Sequence, residues 1–290
     1  MSPLKTINSN KFAVVAVLAS GICFGTTGTS QSLYGKGINP LAIGSSRLLI
    51  GAIALWLLSI RDKTKLKFPK GQLWICAVGV AVYQLAFFSA VHQTGVAIAT
   101  ITALGSAPIF TGLFSWITGH EKPTKTWVIA TSITTIGIFA INTHDAESQI
   151  KVSGILLALC AGAGFASFNV AGRKVLTTNY PLSHFISRSF ALAALLISPF
   201  IFTQNLHWIT TMQGTGLILW LGLVATALAY TLYSFGLTHI KASNASTLVL
   251  AEPVTATILS VTVLHYHLNF TSWLGVTLVI SGLVYPGVNA

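Results

Sequence analysis

"TLVLAEPVTATIL", residues 247–259, sets a carboxylate and a proline side by side in the middle of an apolar run. Glu252 is costly in such a run, and Pro253 lacks the backbone N–H that a helix uses. How the pair is read depends on its surroundings. Hydrophobic residues make up 53% of the 290-residue chain and charged residues 7%, against about a quarter charged in a soluble domain. Of the five acids, Asp62, Glu121, Asp145 and Glu147 sit in short polar breaks, and only Glu252 lies within an apolar run. Stretches such as "FAVVAVLASGICFGTTGTSQSL" (12–33) continue uncharged for about 20 residues, the length that crosses a hydrocarbon core of about 30 Å. This is the pattern of a polytopic, all-α membrane protein.

Polar breaks divide the chain into ten expected spans, at about 12–33, 40–60, 72–91, 95–117, 126–142, 153–172, 183–202, 214–237, 242–264 and 270–288. The net charge of +11 reports topology here rather than a nucleic-acid partner. With the N-terminus inside, twelve of the 16 Lys and Arg residues fall on the cytoplasmic side, Lys36 and Lys151 fall outside, and Arg47 and Arg188 lie within spans. Both termini are therefore expected to face the cytoplasm, with the chain in the cell (inner) membrane. Residues 1–11 are short and basic and lead into an apolar stretch too long for a signal-peptide core, so this stretch is expected to be retained as the first span.

Cys23, Cys76 and Cys160 lie inside apolar runs, where free cysteine packs as a small hydrophobe. His265 and His267 have a spacing that could share a metal ion, but no third ligand is near, and the histidines read as interface residues. No metal and no cofactor are expected.

The two halves repeat. When "YQLAFFSAVHQTGVAIATITALGSAPIF" (83–110) is set beneath "LAYTLYSFGLTHIKASNASTLVLAEPVT" (228–255), Phe88 falls on Tyr233, Ser89 on Ser234, Ala97 on Ala242, Thr102 on Thr247 and Pro108 on Pro253. Each segment reads as a helix, a very short turn and a small-residue helix with a mid-span proline. "GTTG…SSR" leading to Arg47 likewise matches "FASFN…ISR" leading to Arg188. Five spans per half is an odd number, so the halves, residues 1–150 and 151–290, enter the membrane from opposite sides. Inverted repeats of this kind build alternating-access transporters around a midplane site.

"CFGTTG", the arginine near the start of span two, "FFSAVHQTGVAIATITALGSAPIFTGLFSWITGHEKPT" and "YSFGLTHIKASNASTLVLAEPVTATILSVTVLHYH" resemble the drug/metabolite transporter superfamily, EamA type, across essentially the whole chain. The resemblance implies ten helices in two inverted five-helix repeats and a cavity lined by helices one, three, four, six, eight and nine. It also implies export or exchange of small metabolites, often amino acids. One departure is that span nine ends in "LHYHLNF", where the family commonly carries Gly-Glu.

Glu252 is about the eleventh residue of its span and so sits roughly 15 Å from either end, near the midplane. A carboxylate at that depth faces the bundle interior or water and is a candidate for substrate contact or proton exchange; it could equally be hydrogen-bonded to a neighbouring helix as a structural group. Pro253 is expected to free the carbonyl of Val249, and Asn244 and Thr255 fall in the same helical sector as Glu252. Tyr83, Gln84, Phe87, Tyr230 and Tyr233 put aromatics and an amide on spans three and eight, while Thr26 and Asn169 add polar groups on spans one and six. Arg47 and Arg188 are candidates for gating or for holding a substrate carboxylate, against snorkelling or bonds to neighbouring helix ends. A lone acid cannot supply the paired groups of hydrolysis, so an enzyme is not expected. The expected partners are a small-molecule substrate, the lipid bilayer and protons as coupling ion, with the chain a monomer or homodimer. The favoured substrates are amino acids or related zwitterions; the alternatives are exchange of larger nucleotide-like metabolites such as S-adenosylmethionine, or a passive channel.

Overall fold

In hydrocarbon no water is available to backbone N–H and C=O groups, so each apolar run must pair them internally as a helix. The computed structural model describes residues 3–35, 37–60, 69–119, 121–142, 151–178, 180–265, 267 and 269–288. Among these residues the regular structure is wholly helical. The helices are α1 (Pro3–Tyr34), α2 (Pro40–Ser59), α3 (Lys70–Gly95), α4 (Ile98–Ile117), α5 (Lys125–Asn142), α6 (Val152–Leu176), α7 (Leu182–Ile201), α8 (Met212–Leu237), α9 (Ala242–Thr262) and α10 (Phe270–Val288). Eight are long and apolar enough to cross a bilayer, and α5 and α10 are shorter apolar helices. The expected ten-helix order holds, although α1 starts at Pro3, earlier than the polar residues before Phe12 suggest.

The connections follow local chemistry. Asn39 caps α2, its side chain accepting from Leu41 N–H, and Pro40 occupies the first turn, where its missing donor costs nothing. Between α3 and α4 the chain turns at Gly95, whose φ of 80° suits a residue without Cβ.

The bundle buries polar side chains within a mainly apolar core and presents apolar ones on its perimeter. Ser20, Asn169, Ser189 and Thr226 are buried, whereas Phe139, Leu195 and Trp273 stand exposed on the perimeter. A lipid-facing surface has no reason to hide apolar side chains, and helix association relies on close packing instead. At the crossing of α3 and α6, a Cβ on Gly79 would lie 2.6 Å from the Gly164 carbonyl oxygen, and one on Gly164 would lie 2.7 Å from that of Gly79.

The contacts also carry the repeat. α1 packs on α8 and α9, as α6 packs on α3 and α4, while α2 pairs with α7 and α5 with α10. Gly21 of α1 sits against the Glu252 amide, and Gly162 of α6 sits against Ala107 N–H, the matching place in the first half. With five helices in each half, the two halves are inverted relative to one another.

Gly79→Ala should lower the thermal unfolding temperature of the purified protein, at a cost of about 1–3 kcal/mol from overpacking against a backbone oxygen. Gly71→Ala, with nothing within 4 Å of its added Cβ, should be neutral or slightly stabilising; equal effects would contradict this account of the crossing.

Candidate substrate cavity

α9 is two helices rather than one kinked helix. Ala242–Leu248 ends, the chain turns at Val249 and Leu250, and Ala251–Thr262 follows. The Val249 carbonyl, expected to be freed by Pro253, accepts instead from the Glu252 N–H at 3.0 Å. Glu252 thus lies in the first turn of the second segment of α9. Gly21 and Gly25 of α1 let this turn come close, since a Cβ on Gly25 would sit 2.7 Å from the Glu252 carbonyl oxygen.

The Glu252 side chain is partly exposed and makes no hydrogen bond or ion pair among the described residues. A carboxylate tied to a neighbouring helix would show a donor, and none is present among the described residues. The break falls between Asn244 and Glu252, while Thr255 stays in the same segment as Glu252 and packs on the same glycine of α1. Thr255 packs on Gly25 and donates to the Ala251 carbonyl, and Asn244 lines a pocket at the basic end of the bundle.

Arg47, Tyr83 and Tyr230 stand within electrostatic reach of Glu252 and of one another. Arg47 is not in ion-pair contact with the carboxylate. Its guanidinium is anchored on α8, where Nε donates to Thr226 Oγ1 at 3.2 Å and Nη2 to the Ala225 carbonyl at 3.0 Å. That stretch, Trp220–Leu228, is π-helical, and Thr226 Oγ1 donates to the carbonyl of Leu221. A π segment inside an α-helix is uncommon and often marks a functional place. Nη1 of Arg47 makes no hydrogen bond among the described residues.

The core beside Glu252 is aromatic. Tyr83 stacks on Phe87 with centroids 5.8 Å apart and leans on Phe165, which in turn meets Tyr233. Tyr230 packs edge-on against Phe24, Phe168 and Phe190. Tyr233 and Asn169 are both fully buried and interact through their side chains, while Asn169 Nδ2 also donates to Thr111 Oγ1 at 3.3 Å. Gln84 is committed elsewhere, since it is buried and donates to the Gly44 carbonyl at 2.7 Å, fixing α3 to α2. Thr26 accepts from the Trp220 indole at 3.0 Å, joining α1 to the start of the π segment.

Arg188, the repeat counterpart of Arg47, is exposed and donates to Tyr180 Oη at 2.9 Å, away from the group around Glu252. Sequence reading also passed over Glu121 as a loop acid. Its carboxylate meets Arg173 Nε at 3.5 Å and accepts from the Ala242 N–H, while Arg173 Nη1 donates to the Leu237 carbonyl. This knot ties the ends of α4, α6 and α8 to the start of α9. Its signal was an acid and an arginine at span ends on one side of the membrane, which spacing alone could not pair.

Arg47→Ala should lower unfolding stability by about 1.5–3 kcal/mol, because two charge-assisted bonds to α8 are lost. Arg188→Ala should change it by under about 0.5 kcal/mol, as expected for an exposed position. Thermal unfolding in detergent compares the two, and a larger loss at Arg188 would refute the assignment of Arg47 as the α2-to-α8 tie.

The sequence matches the EamA-like transporter family twice, over residues 11–143 and 152–285. A protein from Bacillus subtilis (strain 168) described as an uncharacterized transporter, YwfM, is 39% identical over 272 residues, covering 92% of this chain and 91% of its own. An uncharacterized inner membrane transporter of Salmonella typhimurium (strain LT2), YicL, is 22% identical, with 96% of each chain covered. A solved crystal structure superposes with a TM-score of 0.80 over 96% of this chain and 97% of its own at 18% identity, which supports the fold. Two family matches, one on each five-helix half, and a relative aligned almost end to end place this multi-pass membrane protein in the EamA-like transporter family.

Proposed function

We propose that the protein is a secondary transporter that moves small zwitterionic metabolites, amino acids or close relatives, by alternating access around Glu252. The observation that carries this reading is the pairing of opposite charges without contact. Glu252 is partly exposed and unpartnered, and Arg47 keeps Nη1 uncommitted within electrostatic reach. A zwitterion fits between them, its ammonium toward the carboxylate and its carboxylate toward the guanidinium, with Tyr83, Phe87 and Tyr230 against its apolar part. Few other fixed charges lie within the spans, which disfavours multiply phosphorylated substrates. The aromatic wall of Tyr83, Phe87 and Phe165 supports one second reading, an exchanger of nucleotide-like metabolites such as S-adenosylmethionine, whose base would stack there.

The basic end faces the cytoplasm in this proposal, so a reporter fused at residue 70 should read as cytoplasmic; a periplasmic signal would reverse the orientation. Counterflow in proteoliposomes against amino acids, nucleosides and nucleotide-like compounds should show saturation and stimulation by substrate on the far side. Linear, unsaturable flux would instead indicate a channel.

Glu252 is also placed to carry a proton as the cavity opens to each side in turn. Glu252→Gln keeps the shape and removes the titration. Proton-driven accumulation should then fall to background while downhill exchange survives, and an unchanged pH dependence in the Gln variant would leave Glu252 without a coupling role.

A further inference from the structure

A hollow of about 410 Å³ opens at the basic end of the bundle, among the start of α1, the α4–α5 connection, the end of α6 and the α8–α9 connection. Its lining includes Asn10, Lys122, Thr124, Arg173, Lys241 and Asn244. The charges are one-sided: three fixed cations line it, and no carboxylate does. Glu121, the acid beside it, is already engaged by Arg173 and the Ala242 N–H.

Lys122 and Lys241 are exposed and make no hydrogen bond or ion pair among the described residues. Packing therefore does not explain why they share a pocket, and their mutual repulsion opposes it. The rim is firm, because the Trp127 indole donates to the Ser243 carbonyl at 3.1 Å and joins α5 to α9. Neutral donors stand beside the cations on the side chains of Asn10, Thr124 and Asn244. Lysines around a hollow with neutral donors match the oxygens of a phosphate group. The pocket is formed at the ends of apolar helices, and basic pockets between transmembrane helices take anionic headgroups.

We propose that this pocket is a binding site for a phosphate-bearing anion, supplied by an anionic phospholipid headgroup or by a soluble phosphate. It is separate from the space around Glu252, and its occupant bridges α1, α5, α6 and α9, which stabilises this end of the bundle. This assignment does not depend on which substrate is carried near Glu252.

The test is thermal unfolding of the full chain in phosphatidylcholine bilayers, alone, with increasing phosphatidylglycerol, or with inorganic phosphate. Lys122→Gln/Lys241→Gln is compared with Lys70→Gln/Lys174→Gln, which removes the same charge from exposed positions at the same end but outside the pocket lining. A rise in unfolding temperature with phosphatidylglycerol assigns a lipid headgroup, and a rise with inorganic phosphate assigns a soluble anion. In either case the half-saturating amount should increase about 25-fold in the pocket pair, at about fivefold per lysine, and by less than about twofold in the control pair. The proposal is overturned if neither additive raises the unfolding temperature, if the rise survives in the pocket pair, or if the control pair loses it equally.

Discussion

The close approach of backbones, rather than burial from water, holds this bundle together. Helices in a bilayer gain little by hiding apolar side chains, so their association depends on how near the main chains can come. Gly79 and Gly164 meet reciprocally between α3 and α6, Gly137 and Gly275 do so between α5 and α10, and Gly21 and Gly25 admit the broken turn of α9. The site depends on that last approach. Without small residues on α1, the turn at Val249 and Leu250 would have no room beside it, and the Glu252 carboxylate would be set at a different depth and angle.

Much of this was legible in the order of residue types. Apolar length located the spans, the short polar breaks ordered them, and a very short turn was expected between the third and fourth spans, though Gly95, where it falls, was read as part of the fourth. The carboxylate next to a proline marked an interior-facing, irregular place in α9. What stayed hidden was lateral. In a soluble helix the apolar stripe indicates which side faces the core, but here most faces are apolar and the stripe carries little information. Gln84 read as a cavity amide because nothing in the sequence shows that the Gly44 carbonyl lies opposite it. Asn244 was put on the Glu252 face by counting turns along a continuous helix, and the break at residues 249–250 defeats that count. The π-helical run in α8 has no compositional mark; its evidence is the arginine from another helix bound to it.

The two repeats share a scaffold and differ in chemistry. Pro108 and Pro253 occupy matching places, yet α4 runs through its proline as one helix while α9 divides just before its own. Ala107 stands where Glu252 stands. Arg47 is buried against α8, and its counterpart Arg188 is exposed and bonded to Tyr180. The packing is shared between the halves, and the polar groups differ between them.

The knot of Glu121 and Arg173 has a thermodynamic corollary. By the spacing of the repeats, Ser32 occupies the place of Arg173 at the far end, and "LHYHLNF" offers no carboxylate there to match Glu121. Two identical halves rocking about their axis would leave the two end-states isoenergetic. One ion pair, three helix ends and a captured amide on a single side remove that degeneracy. Under the alternating access proposed above, the resting population would be tilted toward the conformer in which this end is tied. An imbalance of about 1.4 kcal/mol is already a tenfold bias. The asymmetry of a cycle built from symmetric parts would then reside in a loop acid far from the cavity.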